Sequence, residues 1–340
     1  MRLTIKQIAE LAGVSRGTVS KIINNYTDVG EDTRRKVTKI MEENNYRPSY
    51  SAKTLASKKT NVIGVIYAGE VNADFNHPFF VDVIDSFKKV IGGMGYDLMF
   101  FSNENFMKES EDYLARCQHY NVDGCLIIGG GNIQPSVYDL DKSIIPCIGL
   151  DIELSGDTSA HVTSDTYQFT NDVIEHFCEL GHNEIAHISG GFSSQISRIR
   201  IDYFREAMKR FQLPLQDNWI LEGDFFENSG YSCMLQLLES DHVPHAIFTS
   251  SDLMAFGAIK AIKKSNYPLE DFAIVGLDDI HAAKYFSPPI TTVRQNKRGL
   301  GEEAAYALSK LMNGLQLEKK IIIDAQLIVR ESSNKSKIST

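Results

Sequence analysis

The sequence lacks the features that mark membrane, secreted and metal-binding proteins. No apolar run reaches the ~18 residues that a membrane-spanning helix needs. Lys6 and Glu10 interrupt the apolar residues of the N-terminus, so we expect no secretory signal and a cytoplasmic protein. The cysteines are odd in number and have no metal-ligand spacing, so we expect buried, reduced thiols. They are Cys117, Cys125, Cys147, Cys178 and Cys233.

Motifs of enzymes and nucleotide-binding proteins are also missing. The glycines at 129–131 follow an apolar run, but they have neither the Lys-Ser/Thr of a phosphate loop nor G-x-G-x-x-G spacing. His182 and His187 lie five residues apart in a strand-like segment, not four apart on a helix, so we expect one surface and one partly buried histidine. No nucleophile-base signature is present. We therefore predict neither a metal site nor a cofactor, and no enzymatic activity.

The net charge of -9 is divided unevenly along the 340 residues. Residues 1–60 contain 12 Lys and Arg against 6 Asp and Glu, whereas the remainder contains 23 against 38. A basic head on an acidic body is typical of a DNA-binding head joined to a body with another role. The alternative is that the basic residues only form a solvated surface. The length itself indicates two or three domains.

The first 25 residues have the pattern of two short helices joined by a tight turn. Thr4 and Gln7 have the spacing of a capping box, and Gly13 stands where a left-handed residue would end the first helix. Ser15 can cap the second helix at once. The apolar stripes consist of Ile5, Ile8, Ala9 and Ala12 in the first helix, and Val19, Ile22 and Ile23 in the second.

The other face of the second helix carries short, polar or cationic side chains suited to base edges and phosphates. Such helix pairs also occur in bundles that never touch nucleic acid. With Thr4 of the first helix, the predicted DNA-contacting residues of the head are Ser15, Arg16, Gly17, Thr18, Ser20, Lys21 and Asn24.

The sequence of this segment resembles the lactose-repressor/galactose-repressor (LacI/GalR) family of bacterial transcription regulators. The pattern A-x-x-A-G-V-S, then T-V-S-x-x-x-N, is carried here by Ala9, Ala12, Gly13, Val14, Ser15, Thr18, Val19, Ser20 and Asn24. The resemblance continues through 32–37, 45–48 and 52–55, and then covers nearly the whole chain to about residue 330.

A third helix is predicted from Glu31 to Asn44, and residues 1–48 form the predicted head. Residues 49–60 are small, polar and basic, with Leu55 as the one large aliphatic residue, and we expect a hinge helix that orders on binding. The family resemblance implies that this hinge enters the minor groove. There Leu55 matches the wedge that parts a base step, with Ala52 and Lys53 beside it.

From Asn61 onward, near-continuous apolar strands alternate with amphipathic helices, which indicates parallel sheets covered on both faces. We predict an α/β body of two doubly wound subdomains, and the resemblance implies a fold like that of periplasmic sugar-binding proteins. The predicted N-subdomain covers about 61–163 and 293–325, the C-subdomain about 164–292 and 326–330. Residues 331–340 are predicted to be a disordered tail. They contain one aliphatic residue and no heptads, so we expect a homodimer, not a coiled-coil tetramer.

Ligands in doubly wound folds bind at the carboxyl ends of strands, in the cleft between subdomains. Carboxylates at such strand ends can accept paired sugar hydroxyls. The resemblance adds an effector-contacting arginine and an aromatic ring, which match Arg200 and Phe225. The predicted effector-binding residues are His77, Phe79, Phe80, Asp151, Ser194, Arg200, Phe225, Ser251, Asp278 and Gln295.

Alternatives remain open for several of these positions. Arg200 could form a surface ion pair, and the rings of Phe79 and Phe80 could pack in the core. Asp252 and Asp279 also end strands, but we favour them as caps of the following helices.

The sequence departs from the family pattern at Ser251 and Thr166, where Asn is common, and at Lys21 and Lys53, where Arg is common. Lys297 lies near a position that carries an aromatic effector contact in the lactose repressor. These departures bear on which effector and which operator sequence the protein recognises, and they leave the predicted fold unchanged.

Together these features predict a sequence-specific DNA-binding repressor of a carbohydrate operon. It would bind a pseudo-palindromic operator and respond to a small effector, a sugar or sugar phosphate. A sugar-binding transport component and a sugar-processing enzyme are the two alternatives with the same body. The basic head and the missing export signal argue against the first, and the absence of a nucleophile or metal motif argues against the second.

Overall fold

The computed structural model of the protein describes residues 3–23, 26–46, 59–69, 77–101 and 112–333. Four of the predicted DNA-contacting residues, Asn24, Ala52, Lys53 and Leu55, lie outside these ranges, as does nearly all of the predicted hinge. Within the described residues, no helix is both long and apolar enough to cross a membrane.

Three helices form the head: α1 (Ile5–Ala12), α2 (Arg16–Ile23) and α3 (Glu31–Glu43). The predicted capping box is present, because the Thr4 hydroxyl accepts from the Gln7 amide and the Gln7 side chain accepts from the Thr4 amide. Gly13 ends α1 with a left-handed φ of 64°. The Ser15 hydroxyl caps α2 by accepting from the Thr18 amide at 3.0 Å. The head core contains Ile8, Ala9, Ala12, Val19, Ile22 and Val37.

The body begins with a first series of strands and helices. They are β1 (Val62–Ala68), α4 (Pro78–Gly93), β2 (Asp97–Phe100), α5 (Tyr113–Tyr120), β3 (Gly124–Gly129), α6 (Pro135–Asp141), β4 (Cys147–Leu150) and β5 (Ser159–Ser164). The second series consists of α7 (Thr166–Glu179), β6 (Ile185–Ser189), α8 (Gln195–Arg210), β7 (Ile220–Glu222), α9 (Glu227–Leu238), β8 (Ala246–Thr249), α10 (Asp252–Lys264), β9 (Ala273–Leu277) and β10 (Thr291–Gln295). The chain then adds α11 (Lys297–Met312), β11 (Lys320–Ile323) and β12 (Ala325–Ile328).

Two six-stranded sheets result, with the orders β11-β5-β4-β3-β1-β2 and β12-β10-β9-β8-β6-β7. All strand pairs are parallel except β10 with β12, which are antiparallel. The first sheet packs α4 and α11 on one face and α5 and α6 on the other. The second packs α9 and α10 on one face and α7 and α8 on the other. Burial on both faces explains the unbroken apolar runs of the central strands.

The chain crosses between the sheets at Asp165, Asn296 and Asp324. The predicted boundary at residue 293 was therefore wrong, because it falls inside β10, which stays in the second sheet through Gln295. Ala325 likewise already belongs to the second sheet. We call the part around the first sheet the N-subdomain and the part around the second sheet the C-subdomain.

The tail prediction needs a second correction, because residues 331–333 pack on the C-subdomain. The Ser332 hydroxyl donates to the Ile274 carbonyl at 2.7 Å and accepts from the Thr291 amide at 2.8 Å. The Ser333 hydroxyl is 2.8 Å from a ring nitrogen of His176. Buried hydroxyl groups gain these hydrogen bonds only against the folded sheet, which a composition argument does not detect.

Candidate DNA-binding surface and effector site

The exposed side of α2 presents most of the predicted DNA-contacting residues of the head. Arg16 and Gly17 are exposed at its N-terminal end, and Lys21 is exposed near its C-terminal end. The Thr18 hydroxyl already has a partner within the head, because it forms a hydrogen bond of 2.9 Å with the Ser15 hydroxyl. The surface therefore presents cations on a rigid helix whose opposite side is held by the head core.

Lys21 forms an ion pair with Asp28 in the loop after α2. The two side chains are 50% and 54% exposed, and ion pairs exposed to this degree contribute little to stability because water and salt screen them. The contact lowers the pKa of Asp28. A phosphate could take the place of the carboxylate at little cost, so the pair does not withdraw Lys21 from a role in binding DNA.

The predicted effector residues of the body meet where the strand ends of the two subdomains face each other. Asp151 follows β4 and Asp278 follows β9, and both adopt positive φ values, 53° and 111°. Non-glycine residues in such conformations are strained and are enriched at functional sites. Arg200 of α8 is close enough to influence the ionisation of both carboxyls.

Arg200 is 5% exposed, yet its guanidinium is poorly satisfied. Its hydrogen bond to the Ser250 carbonyl is long, at 3.5 Å, and its Nε has no partner within the described residues. Burial lowers its pKa, and the nearby Asp151 and Asp278 oppose that effect. A buried cation with unused donors is costly unless an acceptor arrives, so Arg200 has the properties of a ligand-binding residue.

The two carboxyl groups beside Arg200 are themselves buried. The Thr163 hydroxyl donates to Asp151 at 2.9 Å, and the Gln295 amide donates to Asp278 at 2.7 Å. Burial raises the pKa of Asp151 and raises that of Asp278 to about 7, in both cases against the effect of Arg200. Gln295 also accepts from the Ser164 hydroxyl at 2.6 Å, which joins the first two crossings to the site.

His77 comes from the N-subdomain, at the start of α4, and its ring contacts that of Phe226 in the C-subdomain, with centroids 5.5 Å apart. It is 3% exposed, and neither ring nitrogen has a hydrogen bond of ordinary geometry within the described residues. Burial lowers its pKa to about 4, so the ring is neutral and can donate and accept one bond each.

Phe225 has a positive φ of 72°, and its ring lies directly against Gly190 after β6. A Cβ at position 190 would come within 2.0 Å of the ring, so only glycine leaves room for it. A bulky residue in this backbone conformation is a genuine outlier. Its placement beside the cleft therefore supports a functional role.

Several predicted residues have structural roles instead. The Ser251 hydroxyl caps α10 by accepting from the Met254 amide, and it donates to the Phe225 carbonyl. Phe79 belongs to the core of the N-subdomain, whereas Phe80 is half-buried and lies edge-on to Tyr67. Ser194 precedes α8 and is buried, without capping the helix through its side chain.

The prediction that Asp252 and Asp279 cap the following helices was wrong. Ser251 caps α10, and the Asp252 carboxylate accepts from the Ile280 amide in the loop after β9. The Asp279 carboxylate binds Arg294 at 2.6 Å and Arg330 at 2.7 Å.

Two features of the site were not predicted from the sequence, namely the position of Ser197 and the contacts of Lys297. Ser197 is buried three residues before Arg200 on the same face of α8, and its hydroxyl has no partner within the described residues. Helical spacing from Arg200 could have identified it. The Lys297 ammonium donates to the carbonyls of Asp278 and Asp279 and lies 3.7 Å from Asp82. It thus connects the two subdomains beside the second crossing.

Comparison with known proteins agrees with this architecture. Residues 4–49 match the family model of bacterial regulatory proteins of the lacI family, and residues 174–333 match that of a periplasmic binding protein-like domain. The HTH-type transcriptional repressor PurR of Haemophilus influenzae is 33% identical over 337 residues, covering 97% of this chain and 98% of that protein. The PurR of Actinobacillus pleuropneumoniae is 32% identical over 317 residues, covering 93% of this chain and 92% of that protein.

Solved structures agree over the full length. The lac repressor dimer bound to operator and the anti-inducer ONPF is similar with a TM-score of 0.83 at 26% identity, covering 98% of this chain and 99% of that one. The complex of the regulator CelR with cellobiose gives a TM-score of 0.73 at 26% identity, covering 98% and 100%. These relatives are transcriptional regulators, not enzymes. The chain belongs to the LacI family of DNA-binding transcriptional repressors, with a helix-turn-helix head and a periplasmic-binding-protein-like body that binds an effector.

Proposed function

We propose that this repressor controls a carbohydrate operon and that a sugar or sugar phosphate sets its affinity for the operator. The observation that carries the proposal is the buried, incompletely bonded guanidinium of Arg200, flanked by Asp151 and Asp278. Carboxylates accept from hydroxyls and a guanidinium donates to them, so the group suits a polyhydroxylated ligand. The sugar-bound CelR and the ONPG-bound lac repressor, both similar in fold, support this ligand class.

The operator would be read by two copies of the chain. In a homodimer, two α2 helices would enter successive major grooves, with half-sites about one helical turn (~34 Å) apart. Arg16 and Lys21 would contact phosphates and base edges, and the segment around Leu55 would enter the minor groove between the half-sites. The operator would then be pseudo-palindromic because the dimer is two-fold symmetric.

The effector would act through the angle between the subdomains. His77 from one subdomain and Arg200, Phe225 and Asp278 from the other would hold opposite sides of the ligand. Closure on the ligand would change the geometry at the three crossings and so the spacing of the two heads. A ligand that binds one angle more tightly shifts the population toward it by that difference in affinity.

Two experiments test this proposal. Selection from random duplex DNA should recover an enriched motif with two-fold symmetry, bound about 10³-fold or more tightly than non-specific DNA at the same salt concentration. Thermal shift with a panel of sugars, sugar phosphates and heteroaromatic compounds should then identify stabilising sugars. Recovery of no symmetric motif would refute operator binding. Stabilisation by heteroaromatic compounds alone would refute the carbohydrate class, because His77, Phe80 and Phe225 would then bind a flat ring.

A further inference from the structure

The turn after β9 carries Asp278 into the effector cleft in an unfavourable backbone conformation. Asp278 has a φ of 111° and Asp279 a φ of 49°, so two successive non-glycine residues have positive φ values. Such conformations persist only where the surrounding structure holds them in place. The direction of the Asp278 carboxyl therefore depends on the contacts that hold this turn.

The C-subdomain supplies one set of these contacts. The Asp278 amide donates to the Val293 carbonyl at 2.8 Å, and the Asp279 carboxylate binds the guanidinium groups of Arg294 and Arg330. These bonds join the turn to β10 and to the segment after β12. They involve the Asp278 amide and the Asp279 side chain, and not the carbonyl oxygens of the turn.

The two carbonyl oxygens are bonded instead by a residue of the N-subdomain. Lys297 is the first residue of α11, and its ammonium donates to the Asp278 carbonyl at 2.7 Å and to the Asp279 carbonyl at 3.0 Å. The turn that carries an effector residue of the C-subdomain is therefore held from both subdomains.

The Lys297 side chain extends from a closely packed pair of helices. The Ser86 hydroxyl of α4 donates to the Arg298 carbonyl of α11 at 2.8 Å. A Cβ at Gly301 would come within 2.3 Å of an α4 carbonyl, so the two helix backbones approach closely. The Lys297 ammonium also lies 3.7 Å from Asp82 of α4. Because Asp82 is exposed, water screens that pair, and the two carbonyls of the turn are the main partners of the ammonium.

The stability of α11 does not explain a lysine at this position. The helix is capped by Asn296, whose side chain accepts from the Gly299 amide at 2.9 Å. Its first turn contains Lys297 and Arg298 and no acidic residue. Cations are disfavoured at a helix N-terminus because the helix dipole is positive there. The two bonds to the turn give Lys297 a role that the helix itself does not.

We infer that Lys297 is a positioning residue of the effector site, which holds the turn of Asp278 and Asp279 from the N-subdomain and makes the direction of the Asp278 carboxyl depend on the angle between the subdomains. Hydrogen bonds lengthened much beyond ~3.2 Å weaken, so rotation of one subdomain against the other loosens the hold. The inference rests on the proposed role of Asp278 in binding the effector, but the hold on the turn is testable without any effector.

Amide hydrogen exchange of the full-length chain, without effector or DNA, measures this hold. The reporters are the Asp278 and Ile280 amides, which are both hydrogen-bonded in the folded chain. Lys297→Met keeps the length of the side chain and removes its donors. It should speed exchange of these amides about 10-fold or more, the effect of losing a hydrogen bond from a charged donor. Lys297→Arg should recover most of the protection, because a guanidinium can donate to both carbonyls.

Arg298→Met is the matched control. Arg298 is the next residue of α11, its side chain is 84% exposed, and it is bonded to Glu302 one turn later. This variant should leave exchange of the turn unchanged, and melting temperatures establish that all variants are folded. Equal exchange in Lys297→Met and Arg298→Met would overturn the hold. Faster exchange spread evenly over β9 and β10 would indicate a general loss of stability and would also overturn it.

Affinity for the operator recovered by selection supplies the second readout. Without effector, it should differ at least about two-fold between Lys297→Met and the wild type, because the loosened turn changes the population of subdomain angles. It should not change in Arg298→Met. Faster exchange with unchanged operator affinity would overturn the link to the subdomain angle. Failure to find a sugar effector would refute the proposed ligand class alone, because the exchange measurement needs no ligand.

Discussion

Asp278 and Asp279 are adjacent in sequence, yet their carboxyl groups lie in opposite electrostatic environments. The Asp278 carboxyl faces the cleft and accepts a hydrogen bond from the Gln295 amide, and burial raises its pKa to about 7 against the effect of Arg200. Asp279 faces the other way. Burial would raise its pKa as well, but the guanidinium groups of Arg294 and Arg330 lower it below the ordinary value.

These environments predict opposite pH dependences for two matched variants. A raised pKa means that the folded chain holds a proton which the unfolded chain has lost, so the contribution of Asp278 to stability falls as pH rises from ~4 to ~7. Asp278→Asn should therefore gain stability relative to the wild type between pH 5 and pH 8. Each kcal/mol corresponds to roughly 2–4 °C in melting temperature.

Asp279→Asn is the control, and its effect on stability at neutral pH should have the opposite sign to that of Asp278→Asn. The lowered pKa of Asp279 stabilises the fold above the unfolded value and this contribution is lost as pH falls through the folded value. The variant should be less stable than the wild type at pH 7, with the difference shrinking toward pH 3. Urea denaturation at several pH values measures the free energy of unfolding of both variants. If the two variants differ from the wild type in the same way across pH, the assigned environments are contradicted.

Arg200→Ala should abolish the response to the effector while dimerisation and folding persist. Loss of hydrogen bonds from a charged donor costs about 1.5–3 kcal/mol, or roughly 10- to 100-fold in effector affinity. Arg198→Ala is the matched control, because Arg198 lies on the same helix, is exposed, and donates to the Phe192 and Ser193 carbonyls outside the cleft. Calorimetry with the effector found in the ligand panel measures both. Equal losses in the two variants would remove Arg200 from the site.

Arg16→Ala should weaken operator binding and reduce the slope of its salt dependence by about one if the side chain contacts a phosphate. Lys39→Ala removes the same charge from α3, outside the predicted recognition face, and should have a smaller effect. Asp28→Asn releases Lys21 from its exposed ion pair and should raise operator affinity only slightly. Fluorescence anisotropy at several salt concentrations distinguishes these outcomes. Identical behaviour of Arg16→Ala and Lys39→Ala would argue against α2 as the recognition helix.

Leu55→Ala tests the predicted hinge, and Leu55 itself lies outside the described residues. If Leu55 parts a base step, the variant should lose specific operator affinity and bend DNA less, with little change in non-specific binding, which rests on phosphate contacts. Bending is measured by energy transfer between dyes at the operator ends. A lower melting temperature of the DNA-free protein with an unchanged bend angle would show that Leu55 packs on the body.

The mass in solution should correspond to two chains. The tail after Arg330 has one aliphatic residue and no heptad pattern, so it offers no coiled-coil seam for joining two dimers. Sedimentation equilibrium at micromolar concentration measures this directly. A mass of four chains would require another interface.

Local pattern determined much of this protein. The capping box of Thr4 and Gln7, the cap at Ser15 and the left-handed Gly13 involve neighbouring residues, so short-range chemistry decides them. The buried strands could be recognised because helices cover both faces of each sheet, which leaves no polar alternation. The strand ends also identified Asp151 and Asp278 as candidate cleft residues, since each follows a parallel strand and ligands bind at the carboxyl ends of such strands.

Only the tertiary structure decided what the polar groups do. Asp279 resembles a helix cap in sequence, but its partners Arg294 and Arg330 are 15 and 51 residues away. Ser251 was predicted to bind the effector, but its hydroxyl caps its own helix and donates to the Phe225 carbonyl. No sequence pattern indicated that His161 would be buried with neither ring nitrogen bonded within the described residues. The hydrogen bonds and burial of these side chains depend on which distant segments pack together, and the spacing of neighbouring residues does not determine that packing.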